Sequence, residues 1–193
     1  PWYVLMEISS QASEGVRGQL EDLLAAGIER GIIGDAAIAS SLEQAGAFWH
    51  LRLEMSDAQK PEGGSIKHDV SVPISAVPAF LEEAGPAAMK IVPGARLVPC
   101  GHRGDGNIHY NVSQPVGADK ATFLARWHEM NDAVHAVVAK YHGSISAEHG
   151  IGVLKRDALS HVKDATSLDV MRSLKRTLDP YNILNPGKIL PAP

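Results

Sequence analysis

The sequence predicts an α+β fold, an antiparallel sheet backed by helices, and three of its features carry that expectation. Residues 68–73, His-Asp-Val-Ser-Val-Pro, alternate like a strand with one buried face. Strand-like runs at 95–100 and 107–113 flank a glycine-rich turn and read as a hairpin. Residues 120–141 place Phe123, Trp127, Met130, Val134, Val137 and Tyr141 at steps of four and three, the spacing of an amphipathic helix. Hairpin-adjacent strands, in place of regular βαβ crossovers, favour ferredoxin-like split βαβ units, two of them sharing one sheet. The sequence carries no clear internal repeat.

The elements follow in chain order. Residues 2–9 read as a strand, and 13–30 as a helix with Val16, Leu20, Leu23 and Leu24 at helical spacing. Gly31 and Gly34 punctuate, after which 35–39 suit a second short strand. Residues 42–54, with Phe48 and Trp49, suit a helix, and the polar stretch 55–65 a loop. The strand at 68–73 leads into a helix over 76–92, inside which Gly85 and Pro86 should produce a break or a kink. After the hairpin and the helix at 120–141, residues 144–147 form a short strand ending at Glu148. A last helix at 168–178 stops at Asp179-Pro180, and the tail 181–188 is irregular.

Bulk composition narrows the function classes. The 193 residues are 45% hydrophobic and 21% charged, ordinary for a globular chain able to bury a core. A net charge of −4, with Lys and Arg scattered, gives no electrostatic footprint for nucleic acid. No apolar run reaches the roughly 20 residues of a membrane span. A single cysteine, Cys100, rules out an internal disulfide and suits a reducing compartment, so a cytoplasmic location is expected. The chain opens at Pro1 directly in an apolar run, without initiator Met or leader, which reads as a piece of a longer protein.

The chemistry concentrates in Gly101-His-Arg-Gly-Asp-Gly-Asn-Ile-His-Tyr-Asn111 and Glu148-His149-Gly150. If 98–102 and 107–111 pair across the four-residue turn 103–106, His102 faces Asn107, and Asn107, His109 and Asn111 share its face. His102 and His109 are then diagonal neighbours, about 7–8 Å apart. Their imidazoles can converge on one ion at about 2.0–2.1 Å per bond. Glu148 is the best third ligand, because Gly150 and Gly152 allow its segment a close approach. Two histidines and one carboxylate leave positions open for water or substrate, the catalytic pattern. His149, pointing to another side, suits a base beside the ion. The competing reading is a set of surface or satisfied core histidines, against which stands their joint occurrence on one strand face. His128, His135 and His142 recur every seven residues, but successive members lie about 10 Å apart along a helix and cannot share an ion. They read as flank positions without chemistry, and Cys100 as a small core residue.

These stretches, with Ser146-Ala-Glu-His-Gly-Ile-Gly152, Lys155-Arg156, Leu178-Asp-Pro180 and Leu184-Asn-Pro-Gly-Lys188, resemble the C-terminal domain of FAD-linked oxidases. This is the vanillyl-alcohol-oxidase-like group that includes D-lactate, D-2-hydroxyglutarate and glycolate dehydrogenases. The resemblance spans residues 1–193 and implies a substrate- and metal-binding domain whose partner, an N-terminal domain, holds most of the FAD. It implies His102, His109 and Glu148 as ligands of a divalent ion, zinc or manganese, His149 as the base, and Asn111 as a substrate contact. Trp49-His-Leu-Arg52 and 65–73 look like the family's substrate-binding segments, so Arg52 and Lys67, with Ser56, would hold substrate carboxylates. Leu53 and His68 stand where related sequences commonly carry Glu and Tyr. Asn185 and Lys188 would lie near the flavin; the competing reading is a tail packed on the sheet.

The function so implied is oxidation of a D-2-hydroxy acid to the 2-oxo acid with hydride transfer to FAD. Arg52 and Lys67 together favour a dicarboxylate of the D-2-hydroxyglutarate type over lactate. Further partners expected are an electron acceptor and, as an oligomer, a homodimer. Residues 1–193 alone, without a Gly-x-Gly-x-x-Gly loop or another phosphate cradle, are expected to be inactive. Two other classes remain open: a His2Glu metal hydrolase, though without a His-Glu-x-x-His helix or nucleophile elbow, and a non-catalytic ferredoxin-like regulatory module.

Overall fold

The computed structural model describes residues 2–11, 15–102 and 104–190 and divides into two compact units, 1–58 and 59–193. The first unit contains α1 (Val16–Glu29) and α2 (Leu42–Ala58). The start of the first helix at Ser13, and Arg103 of the hairpin turn, lie outside the described residues. The helix expected over 42–54 runs on to Ala58, four residues into the stretch assigned to a loop. Neither 2–9 nor 35–39 is a strand, contrary to the alternation there. A strand is stabilised by a ladder, and among the described residues of this unit no strand pairs with either segment. Trp2 and Tyr3 are left 74% and 90% exposed, and no described residue of 2–58 is fully buried.

The second unit contains β1 (Ser65–Ser71), α3 (Val77–Ile91), β2 (Arg96–His102), β3 (Asn107–Ser113), α4 (Lys120–Leu124), α5 (Trp127–Lys140), α6 (Arg156–Val162) and α7 (Ala165–Leu178). The strands form one antiparallel sheet in the order β1-β3-β2, which bears out the α+β class. Among the described residues this is the only sheet, so the strands expected at 2–9 and 35–39 do not extend it. Ile66, Val70, Tyr110 and Val112 turn to one face and meet Phe80 and Ala84 of α3 and Met130, Val134 and Val138 of α5. The T-shaped contact of Phe80 with Tyr110, centroids 5.6 Å apart, sits at the centre.

Several boundaries differ from expectation. α3 continues through Gly85 and Pro86 without a break. Gly85 is buried, and a Cβ there would sit 3.1 Å from the Leu97 side chain, so the glycine lets the helix lie close on β2. The helix over 120–141 is two helices interrupted at Ala125-Arg126. Asp119 caps the first by accepting from the Thr122 N–H at 2.8 Å, and the apolar spacing runs on across the gap, which hides it from a periodicity reading. The strand at 144–147 reduces to one bridge between Ser71 and Ser144. α6 has no counterpart in the expected elements, and α7 begins three residues early, capped by Asp164 accepting from Ser167. No helix among the described residues is long and apolar enough to cross a membrane.

Candidate active site

The hairpin register sets the site. β2 pairs with β3 so that His102 is opposite Asn107 and Cys100 opposite His109, while β1 places Asp69 opposite His109 and Lys67 opposite Asn111. With a period of two, Lys67, Asp69, Cys100, His102, Asn107, His109 and Asn111 share the face turned away from α3 and α5. Gly106 makes the tight turn possible. It has φ +73, and a Cβ there would sit 2.0 Å from the Val72 carbonyl oxygen, so only glycine fits.

The segment 144–149 crosses the end of this face from the β1 side. Gly143 permits the crossing, since a Cβ there would meet the Ser71 carbonyl oxygen at 2.2 Å. The Asp69 carboxylate then accepts from the backbone N–H groups of Ala147 (3.1 Å), Glu148 (3.1 Å) and His149 (2.9 Å). Burial alone would raise the Asp69 pKa. The N–H groups of His149 and Glu148, together with the charges of His149 and Lys155, outweigh it and hold the carboxyl below its usual value. Lys155, itself lowered by burial, donates to the Ile145 carbonyl at 2.7 Å and the Asp69 carbonyl at 3.2 Å.

Glu148 Oε1 lies 3.3 Å from His102 Nδ1 and 3.7 Å from His109 Nε2. Asn107 donates its amide N–H to the same oxygen and sits 3.3 Å from His102 Nδ1. The His149 ring stacks on His109, centroids 5.8 Å apart at 24°, with its Nδ1 3.7 Å from Asp69 Oδ2.

The donor set fits a divalent ion. One ligand atom each from His102, His109 and Glu148 lies within 4.8 Å of the others. The Asn107 Oδ1 beside them is buried and has no hydrogen-bond partner among the described residues. Asp69, His109 and His149 also come within 4.8 Å of one another, but the Asp69 oxygens already accept the loop N–H groups.

The remaining expected residues are distributed as follows. Asn111 is 2% exposed and donates to Gln59 Oε1 at 3.2 Å, and Lys67 is exposed beside it. Arg52 and Ser56 belong to the first unit, four residues apart on α2 and hence on one side of it. Asn185 and Lys188 are exposed in the tail, Asn185 with φ 49. The tail is tied to the loop after His149 by Ile189 N–H to the Gly152 carbonyl (2.8 Å) and Arg156 to the Gly187 carbonyl (3.2 Å).

Sequence reasoning placed Asn107 on this face without giving it a role, and missed Asp69 and Lys155 as parts of the site. An acid at an alternate strand position ordinarily reads as solvent-facing, and only burial distinguishes it. It also misplaced His135. That residue is not a flank position but 8% exposed, edge-on to His68 with centroids 6.0 Å apart. Burial pushes both histidines down to about 4.

Comparison with known proteins gives the family. The family described as "FAD linked oxidases, C-terminal domain" matches residues 1–189. A protein of Stutzerimonas stutzeri (strain A1501) named D-2-hydroxyglutarate dehydrogenase is 35% identical over 192 residues, covering 100% of this chain and 41% of that protein. One of the same name from Xanthomonas citri pv. viticola is 36% identical over 189 residues, covering 98% and 40%. The mitochondrial D-2-hydroxyglutarate dehydrogenase of Arabidopsis thaliana is 33% identical over 190 residues, covering 98% and 33%. The chain thus spans 33% to 41% of the length of these relatives. A hairpin with two histidines, a Glu-His pair delivered by a carboxylate-bound loop, and a family match over 1–189 lead to one assignment: the chain belongs to the C-terminal domains of the FAD-linked oxidases.

Proposed function

We propose that this chain is the substrate- and metal-binding part of an FAD-dependent dehydrogenase that oxidises a D-2-hydroxy acid, of the D-2-hydroxyglutarate type, to the 2-oxo acid. The observation that carries the reading is the convergence of His102, His109 and Glu148 with His149 stacked alongside. The names of the relatives support the substrate class. His102 Nδ1, His109 Nε2 and Glu148 Oε1 are the groups that would hold a divalent ion, zinc or manganese, which when bound supplies Lewis acidity to a hydroxyl oxygen. A flavin, held by an FAD-binding domain and reached by Asn185 and Lys188, supplies the two-electron acceptor.

The chain's own residues do the rest. His149 turns Nδ1 toward Asp69, which leaves Nε2 to take the hydroxyl proton of the substrate. Asn111, fixed by Gln59, presents its amide on the same face as His109 and orients the carboxylate next to the hydroxyl. Lys67 supplies a cationic group for a second carboxylate, the role the family resemblance also gives to Arg52 and Ser56, and a dicarboxylate makes that demand where lactate does not. Fixing both ends converts binding into orientation.

The test is anaerobic flavin bleaching in the FAD-bearing holoprotein. D-2-hydroxyglutarate should bleach the flavin and the L-enantiomer should not. A chelator should abolish the reaction, and added zinc or manganese should restore it. No bleaching by any D-2-hydroxy acid, or bleaching indifferent to chelation, would overturn the reading.

A further inference from the structure

We infer that Asp69 is a positioning residue of this site: from inside the sheet it fixes the loop 146–149, and through the loop it aims both Glu148 and His149. The inference rests on the proposed roles of those two residues. Asp69 is 3% exposed, yet lies on the sheet face that carries the ligands. Three consecutive backbone N–H groups, of Ala147, Glu148 and His149, point at its carboxylate between 2.9 and 3.1 Å, and the Ser146 hydroxyl approaches at 3.4 Å. Successive N–H groups turned inward form a concavity for an anion, and here the anion is a side chain of the protein itself. Its main chain joins in: the Asp69 carbonyl accepts from Ala147 at 3.3 Å and from Lys155 at 3.2 Å.

The other bonds of this loop hold its flanks: Ser146 donates its N–H to the Ser144 hydroxyl at 3.2 Å and its own hydroxyl to the Gly150 carbonyl at 2.8 Å, while Asp69 takes the three N–H groups at its centre. Among the described residues the only ladder contact nearby is the single bridge at Ser144, two residues before the carboxylate takes over. Asp69 also addresses the two rings that stack on each other. His109 Nδ1 is 3.9 Å and His149 Nδ1 3.7 Å from its oxygens. A carboxylate on that side favours a proton on each Nδ1, turning His109 Nε2 toward Glu148 and His149 Nε2 outward, as ligand and base require. The same geometry excludes Asp69 as a ligand of a second ion. Its lone pairs are directed at loop donors, and an ion would have to strip them.

D69N keeps the side-chain shape but puts an amide donor against the loop N–H groups. In the FAD-bearing holoprotein it should slow flavin reduction and weaken zinc binding, read by chelator competition, each by about 10–100-fold. At saturating zinc, which offsets the weaker binding through Glu148, the additional rate loss from D69N in an H149N background should shrink to about threefold or less, because the part that acts through the His149 ring is already gone. A purely structural role would instead cost the same in both backgrounds, and that result would overturn the inference. Amide hydrogen exchange on the unmodified holoprotein reads the contact directly. Ala147, Glu148 and His149 should exchange at least about tenfold more slowly than exposed loop amides. Equal exchange would also overturn the inference, and this measurement decides if D69N does not accumulate as a folded protein. H149N with undiminished turnover would sink the functional reading itself. D69N with undiminished rate and zinc affinity, where H149N is impaired, would sink only the role of Asp69.

Discussion

His68 and Asp69 are consecutive on β1, and His109 and Tyr110 on β3, yet each pair divides between two faces with opposite chemistry. On the helix-covered face His68 lies beside Tyr110 and His135 within the core, its Nδ1–H donating to the Tyr110 carbonyl at 2.7 Å. On the other face Asp69 and His109 meet His102, Glu148 and His149. One residue type does different work on the two sides. Burial holds His68 and His135 neutral, while the open face gathers partly exposed imidazoles around a carboxylate. The pleat, with its period of two, separates packing from chemistry at a cost of one residue in register.

The sharpest way to break that contrast is to remove the base. H149N should lower the flavin-reduction rate of the FAD-bearing holoprotein by about 10²–10⁴-fold, the span general-base catalysis supplies, while leaving thermal stability near that of the parent. The ring is exposed, and its contacts are one stack and one carboxylate at 3.7 Å. A rate within a factor of about three of the parent would place the proton acceptor elsewhere.

Next in size is the ligand set. H109A should weaken zinc binding, measured by chelator competition, by more than the roughly 10–100-fold typical of supporting residues. H135L, on the opposite face, should leave zinc affinity unchanged. Equal losses in both would mean that the two faces are not separable.

The two faces were unequally legible in the sequence. The open face was readable because the four-residue turn fixes a register. From it follow His102 opposite Asn107 and His109 on the same side, as the structure has them. Glu148 was reachable through its glycines, but Asp69 was not, since an isolated acid in an alternating run looks solvated until a loop closes over it. His135 failed for a related reason. A seven-residue spacing shows that His128 and His135 share a helix side without saying which side the sheet covers. The break at Ala125-Arg126 and the unpaired segments 2–9 and 35–39 mark the same limit: local periodicity records side-chain alternation, while ladders and helix continuity depend on partners distant in sequence.

The covered face makes its own prediction in pH. The ordinary histidine pKa is 6.5, and burial lowers His68 and His135 to about 4 in the folded protein. Between these values the unfolded chain binds protons that the folded chain does not, so acidification favours unfolding. Their contribution is complete above pH 6.5 and declines as pH falls toward about 4, by about 1.4 kcal/mol per pH unit for each histidine. Urea midpoints should fall between pH 7.5 and 5, and H135L should remove about half of the slope due to these two groups. A slope unchanged by H135L would mean that the ring is not buried neutral.

The smallest effect tests whether the covered face is packing alone. The Tyr110 hydroxyl is buried without a hydrogen-bond partner among the described residues, and burial pushes its pKa up to about 12. A buried donor without a partner costs about 1–3 kcal/mol of desolvation. Replacing it with hydrogen keeps the ring against Phe80 and leaves only a small void. Y110F should therefore be neutral or stabilising by up to about 1 kcal/mol in chemical denaturation, with flavin reduction and zinc affinity unchanged. The side chain is one residue from His109 but points through the sheet the other way. A loss of turnover without a loss of stability would show that the hydroxyl reaches the chemistry through the strand, and the division between the faces would no longer hold.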